Sequence, residues 1–311
     1  MSAQPLGLLP LSGARWVTVR QHRRTLWTVL GVAVVSMGGL VAARLSYIRA
    51  DPETHSLLRA AVDQADLAIT LLPLLVALFV AGPLVAREMD SGAHRLAWSQ
   101  SVTPAHWLAV KLALTAAVVV PGAALLGGVY RWSWTPIRQD MPLSIWEAQP
   151  YAALGITTMA YTLLATAVGA LLGLLVQRTL VAMSLAGFAT GSVLLALGQL
   201  RPHLWPQAMA TGDGLDLEWF PGRDGIDTWW QESGQLTASG TRLRVEDCAG
   251  QGWSDQGVEQ CLTGRGGVTD YVLHHPPSHF WPIQFVETAI VLALAAAVAF
   301  AAFRVLRRLH A

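Results

Sequence analysis

The chain has 311 residues, of which 53% are hydrophobic and only 13% charged, against about 25% charged in ordinary soluble domains. This composition excludes a soluble globule and describes a polytopic membrane protein, while a net charge of +1 points to neither nucleic acid nor an acidic ligand as partner. Lys111 is the only lysine among 21 basic residues, a usage that hints at a GC-rich bacterial genome.

Residues 1–24 read as a segment at the cytoplasmic membrane surface. Trp16, Val17 and Val19 alternate there with Arg15, Arg20, Arg23 and Arg24, which fits an amphipathic elbow or a plain basic flank. The first apolar run is already long enough to span, so no cleavable signal peptide is expected. Runs able to cross a bilayer, at about 20 residues each, lie at Thr25–Ala43, Leu67–Ala86, Leu112–Tyr130, Tyr151–Gln177 and Thr179–Gln199. A sixth, Phe280–Phe303, contains one charge, Glu287. The expected layout is an all-α polytopic fold of six transmembrane helices. Residues 25–199 hold the first five, 87–111 form a polar passage between the second and third, 200–279 form a separate small domain, 280–303 the sixth helix, and 304–311 a tail.

Eleven basic residues fall in short segments on one side: Arg15, Arg20, Arg23, Arg24, Arg87, Arg95, Lys111, Arg178, Arg304, Arg307 and Arg308. The positive-inside tendency therefore puts both termini in the cytoplasm and 200–279 outside a bacterial cytoplasmic membrane. Pro73, Gly82-Pro83 and Pro121-Gly122 interrupt the second and third helices, as bends or as ordinary membrane-helix composition. Gly169–Gly173 and Gly187–Gly191 are both G-x-x-x-G, a spacing that lets helix backbones approach. The short connection at Gln177-Arg178 makes the fourth and fifth helices an antiparallel hairpin.

In the polar passage, Thr103-Pro104 is a helix-start signal and Ser91-Gly92 a break. Leu96 and Trp98 among Arg95, Ser99 and Gln100 suggest a short surface helix. Trp107 and Lys111, at i and i+4, read as an interfacial aromatic anchor and a snorkelling cation.

The 200–279 region is polar, rich in Gly and Trp, and has a net charge of −6. It holds the only two cysteines, Cys248 and Cys261, which outside the cytoplasm are expected to pair. Leu236–Val245 alternates around Ser239-Gly240 as a β-hairpin would. His274, His275 and His279 surround Pro276-Pro277, which forbids a helical metal-ligand spacing, so no metal is expected.

Glu88, Gly92, Arg95, Leu96, Trp98, Gln100, Ser101, Val102 and Thr103, followed by Trp107 and Lys111, form E-x-x-x-G-x-x-R-L-x-W-x-Q-S-V-T with W and K close behind. This resembles a stretch in permease subunits of bacterial ABC-2-type ABC transporters; Ala93, Ser99 and Pro104 depart from the more usual Thr, Thr and Arg. His275–Glu287, H-P-P-S-H-F-W-P-I-Q-F-V-E, is similar to the passage that opens the last helix in the same family. The resemblance implies an ABC-2 (type V-like) exporter permease fold. It also implies that Glu88, Arg95, Trp98, Gln100, Trp107 and Lys111, with Arg178 at the hairpin tip, contact a separate ATP-binding subunit.

The implied partners are that subunit, which would hold ATP and Mg2+, a second permease chain, and membrane lipid. The chain itself is expected to bind no cofactor. It has no G-x-x-x-x-G-K-[ST] phosphate loop, and no motif of an intramembrane protease. The implied work is export of a drug, peptide or lipid-like substrate. Alternatives are a membrane-embedded enzyme with a site on the extracellular side, or an ABC-linked sensor or immunity protein. Gln284, Glu287 and Thr288 form a polar stripe on the last helix. It belongs to the substrate path or outer gate, or else fixes the last helix in place.

Overall fold

The computed structural model describes residues 31, 35, 37–45, 52–93, 103–140, 144–212, 227–251 and 255–309. Most of the predicted first span Thr25–Ala43, the 1–24 segment and the surface-helix residues 94–102 lie outside these. The helices are α1 (37–45), α2 (Pro52–Leu75), α3 (Gly82–Asp90), α4 (Pro104–Asp140), α5 (Ala148–Leu154), α6 (Thr157–Val176), α7 (Thr179–Leu200), α8 (Asp255–Gly264) and α9 (Phe280–Arg308). A π-helical stretch, Val76–Ala81, joins α2 to α3 without interruption. Among the described residues, five helices are long and apolar enough to cross a membrane: Leu58–Asp90, Pro104–Thr135, Thr157–Val176, Thr179–His203 and Pro277–Arg308.

The π stretch has a cause in the sequence. Pro83 has no N–H to give the carbonyl four residues back, and its ring would clash with that carbonyl. The helix widens just before it, so that the Gly82 N–H bonds Ala77 O in i→i−5 fashion. The two G-x-x-x-G pairs grip this same segment. A Cβ on Gly169 would meet Ala81 C at 2.4 Å, one on Gly173 would meet Ala86 N at 2.8 Å, and one on Gly187 would meet Leu78 Cδ2 at 2.5 Å. The missing side chains let α6 and α7 press against the segment from two sides.

At the centre stands α6. Its buried residues run from Thr157 to Leu174, and α9, α3, α7 and α4 pack around it. Leu180, Phe188 and Leu195 of α7 and Phe285 and Phe300 of α9 face outward and are exposed. An apolar rim around a packed interior is what lipid surroundings require.

Three helices depart from their predicted bounds. The second and third runs continue well past Leu67 and Tyr130, because amphipathic turns add to the apolar core at each end. The predicted fourth span, Tyr151–Gln177, is broken at Gly155 into α5 and α6.

Residues 200–279 contain an antiparallel sheet of order β1-β4-β2-β3, with β1 Ala208–Gly212, β2 Trp229–Thr237, β3 Arg242–Arg244 and β4 Gly267–His275. This corrects the all-α expectation: the chain is mostly helical with one small sheet. The expected hairpin is β2–β3, turning through Gly240 at φ +81°. Cys248 and Cys261 are joined by a disulfide with Cα atoms 6.0 Å apart, tying the Val245–Gln251 turn to α8. β4 leads through the Pro277–His279 turn directly into α9.

Candidate functional site

Two buried polar clusters stand at opposite ends of the bundle. One is built on Glu287, the other on Glu88, whose neighbours pack beside Leu306 of α9. From residue 287 to 306 along a helix is roughly 28 Å, about the thickness of a bilayer's hydrocarbon.

At the sheet end, Glu287 of α9 is wholly buried. Its Oε1 accepts the Tyr161 hydroxyl at 2.8 Å and Arg201 Nη2 at 3.1 Å, while Oε2 accepts the Tyr151 hydroxyl at 2.9 Å and Arg201 Nε at 3.0 Å. The guanidinium also lies 3.8 Å from the Tyr151 ring centroid. Four donors from three elements thus satisfy one carboxylate, and the paired charges make its burial tolerable. One turn earlier, Gln284 donates to Tyr151 O at 2.9 Å and accepts the N–H groups of Ile156 and Thr157 at 3.1 and 3.2 Å. These are the backbone groups that the break at Gly155 leaves over, so α9 supplies what the interrupted helix lacks. The Thr288 hydroxyl is buried and finds no hydrogen-bond partner among the described residues.

Directly above this cluster, His275 links the sheet to the helices. Its Nε2 donates to Pro202 O at 2.9 Å, and its Nδ1 stands 3.1 Å from His279 Nδ1. Trp146 and Trp229 lie against it, stacked on each other at 5.2 Å, and Phe280 packs edge-on to Trp146. Burial pushes the His275 imidazolium below the ordinary histidine range, favouring the neutral ring.

At the other end, Lys111 Nζ bonds Glu88 Oε1 at 2.6 Å and Leu84 O at 3.4 Å, and Trp107 Nε1 bonds Glu88 Oε2 at 3.1 Å. Lys111 is 1% exposed and Trp107 5%. Instead of lying along the surface, both side chains turn inward and fasten α4 to α3. The Thr103 hydroxyl caps α4 by accepting the His106 N–H at 3.3 Å. Asp90 Oδ2 accepts both the N–H and the hydroxyl of Thr179, at 3.2 and 2.9 Å. The α6–α7 hairpin tip, turning through Gln177 at φ 55° and the exposed Arg178, is thereby pinned beside the end of α3. An open groove of about 500 Å3 lies there, lined by Pro83, Arg87, Asp90, Ser91, Thr179 and Met183.

A family model described as ABC-2 membrane transporter related matches residues 43–201, about half of the chain. The chain belongs to this family. No curated protein matches it. The family match covers α2 to α7 and ends on Arg201, the partner of Glu287, so the sheet and α9 lie beyond it.

In this ABC-2 family member the predicted residues fall into separate groups. Glu88, Trp107 and Lys111 converge in one cluster, with Arg178 exposed nearby, while Arg95, Trp98 and Gln100 lie outside the described residues. Gln284 and Glu287 share the other cluster. Sequence reading overlooks Arg201 and Tyr151, which sit at run boundaries, and Gly155 and Tyr161, which lie inside an unbroken apolar run with nothing local to mark them. It also overlooks Asp66, buried on the long second helix and accepting the Tyr130 hydroxyl at 3.4 Å. Both stand at the edges of the apolar runs, where a count of apolar residues stops short of the helix. Among the described residues there is no cluster of His, Cys, Asp or Glu that could hold a metal ion.

Proposed function

We propose that this chain is the membrane-spanning permease subunit of an ATP-driven exporter, with six spans when Thr25–Ala43 is included and both termini in the cytoplasm. A separate ATP-binding subunit, holding ATP and Mg2+, docks on the 87–111 passage and on the hairpin tip at Arg178. A second permease chain completes the pathway, and residues 200–279 lie outside the cell. The observation that carries the reading is the double anchorage at the Glu88 end of the bundle. Glu88–Lys111–Trp107 fastens both helices that flank residues 91–103, and Asp90–Thr179 fastens the hairpin tip beside them. A push on the passage between α3 and α4 therefore reaches α3, α4 and α7 together, which a loose interfacial loop could not transmit.

At the opposite end, the Glu287–Arg201–Tyr151–Tyr161 cluster serves as a latch. It holds α9, the α5–α6 break and the end of α7 in register and forms the closed outer side of the pathway. All four carboxylate bonds are made within the chain, which favours a latch over a substrate ligand. The cargo is a drug, a peptide or a lipid-like molecule.

The test is affinity purification of the full-length chain from its native membrane, followed by ATP-dependent transport in vesicles. A Walker-motif ATPase should co-purify with it. Replacing Arg95 and Trp98 should preserve insertion while uncoupling hydrolysis from transport. Purification with no nucleotide-binding subunit would remove the reading in favour of a membrane enzyme, and co-purification without any efflux would favour a sensor.

A further inference from the structure

A cavity of about 310 Å3 opens at the sheet end of the bundle, between the far end of α4, the segment before α5, Asp227 below β2 and the first turn of α9. Its depth follows from helix geometry. Arg131 stands about 27 residues along α4 from Pro104, roughly 40 Å, which carries it past ~30 Å of hydrocarbon to the far boundary. Trp281 lies as far along α9 from its basic end at Arg307 and Arg308.

The wall has three kinds of group. Arg131 donates Nη1 to Leu154 O at 3.3 Å and lies 5.7 Å from the Trp281 ring centroid, but it makes no ion pair among the described residues. Its charge and its remaining N–H groups are left for an anion, and a planar guanidinium suits phosphate oxygens. Asp227, 1% exposed, brings a carboxylate whose Oδ1 accepts the Ile145 N–H at 3.4 Å. Trp134, Phe280 and Trp281 supply aromatic faces, which attract ammonium groups.

We propose that this cavity binds the headgroup of a zwitterionic phospholipid, with the phosphate on Arg131 and the ammonium between Asp227 and the aromatic wall. An anionic headgroup without an amine would satisfy Arg131 and leave its other end against a carboxylate. The volume is near the lower end for ligand pockets, enough for a headgroup and too small for a whole peptide. Below the cavity, exposed Phe285 and Leu292 continue the face of α9 that begins at Trp281, a track for an acyl chain. The inference needs only the chain's place in a membrane and stands apart from the transport reading.

The test uses the full-length protein in detergent, with phosphatidylethanolamine, phosphatidylcholine and phosphatidylglycerol of matched acyl chains, and counts retained lipid by native mass spectrometry. The two zwitterionic lipids should be retained about tenfold more than phosphatidylglycerol, and Arg131→Gln should lower their retention by a similar factor, as loss of a charge-assisted bond implies. Asp227→Asn keeps an acceptor for Ile145 and should erase the preference over phosphatidylglycerol. Arg131→Lys keeps the charge and should retain lipid better than Arg131→Gln at an unchanged unfolding temperature. Equal retention of phosphatidylglycerol by the wild type, or equal retention by the Gln and Lys variants, overturns the proposal. So does displacement of the lipid by an equal concentration of soluble glycerophosphoethanolamine, which would reassign the site to a soluble amine phosphate.

Discussion

Gln284 occupies the space that a side chain on Gly155 would need. A Cβ at position 155 would fall 2.0 Å from Gln284 Nε2, and the same amide bonds the backbone at Tyr151, Ile156 and Thr157. A residue of α9, about 130 positions later in the chain, thus acts as the cap of a helix it does not belong to.

Gly155→Ala should therefore displace Gln284 and release its three backbone bonds. Overpacking costs about 1–3 kcal/mol and each orphaned buried group about 1–3 kcal/mol more, so the unfolding temperature in detergent should fall by several degrees. Gln284→Ala leaves the same groups unpaired without a clash and should fall comparably. If Gly155→Ala unfolds at the wild-type temperature, the capping account fails.

Glu287 and Arg201 should behave as a pair. Arg201→Met leaves a buried carboxylate with only two tyrosine hydroxyls, a loss of about 3–5 kcal/mol when one partner of a buried ion pair is removed. Arg201→Met combined with Glu287→Leu removes both charges and should recover most of that loss. Glu287→Gln keeps the size and part of the bonding. Normal assembly with lost or altered efflux in that variant would return the residue to the substrate path, whereas unchanged transport leaves it as a latch. Unfolding temperatures of the two single variants and the double variant measure the coupling.

Much of the helical layout is legible in the apolar runs, because burial in lipid leaves few choices beyond an uncharged stretch of sufficient length. What the runs do not reveal are contacts closed by distant residues. Nothing near Gly155 announces a break, since the partner that makes it affordable is Gln284. Lys111 looks like a snorkelling cation because a period of four places it under Trp107, and only the fold brings Glu88 up to both. Arg201 reads as the first polar residue after a span and proves to be the counter-charge of Glu287. The sheet is half legible: the hairpin alternates visibly, whereas the pairing of β1 with β4 joins segments more than fifty residues apart.

Gly169, Gly173 and Gly187 of the G-x-x-x-G pairs should tolerate nothing larger. Gly173→Val would drive side-chain atoms into the α3 backbone at Ala86, and Gly187→Val into Leu78. Both should lower yield and unfolding temperature, while Gly198→Ala, where nothing lies within 4 Å, should leave them unchanged. Equal tolerance at all three positions, measured by size-exclusion profile and thermal melt, would remove the packing argument.

The Glu88 cluster should be more sensitive to Lys111 than to surface arginines. Lys111→Met removes the ion pair from Glu88, whose side chain is 16% exposed, while the Trp107 indole bond stays, and α3 should loosen from α4. Removing one member of such a pair is worth about 3–5 kcal/mol when burial is complete and less here because Glu88 reaches water. Arg178→Ala, on an exposed residue at the hairpin tip, should leave stability alone and is expected to affect only docking of the ATP-binding subunit. A fall in unfolding temperature with Arg178→Ala equal to that with Lys111→Met would contradict this division of roles.

The junction between the sheet and the bundle should weaken in acid. His275 donates one ring nitrogen to Pro202 O and turns the other to His279, so the neutral ring with its proton on Nε2 satisfies both contacts. Burial holds its folded value below 6.5, the value expected when the chain is unfolded. Between the two, the unfolded chain binds a proton that the folded chain refuses, so stability rises with pH in that window. The contribution is complete above about pH 6.5 and is lost as pH falls toward the depressed folded value. Protonation would also set an N–H of His275 Nδ1 against His279, while the Nε2–H bond to Pro202 O stays in place. Unfolding temperatures compared at about pH 8 and about pH 5 should therefore fall in acid, and His275→Gln, which can still donate to Pro202, should flatten part of that slope. A variant slope identical to that of the wild type would show that the acid sensitivity comes from other groups.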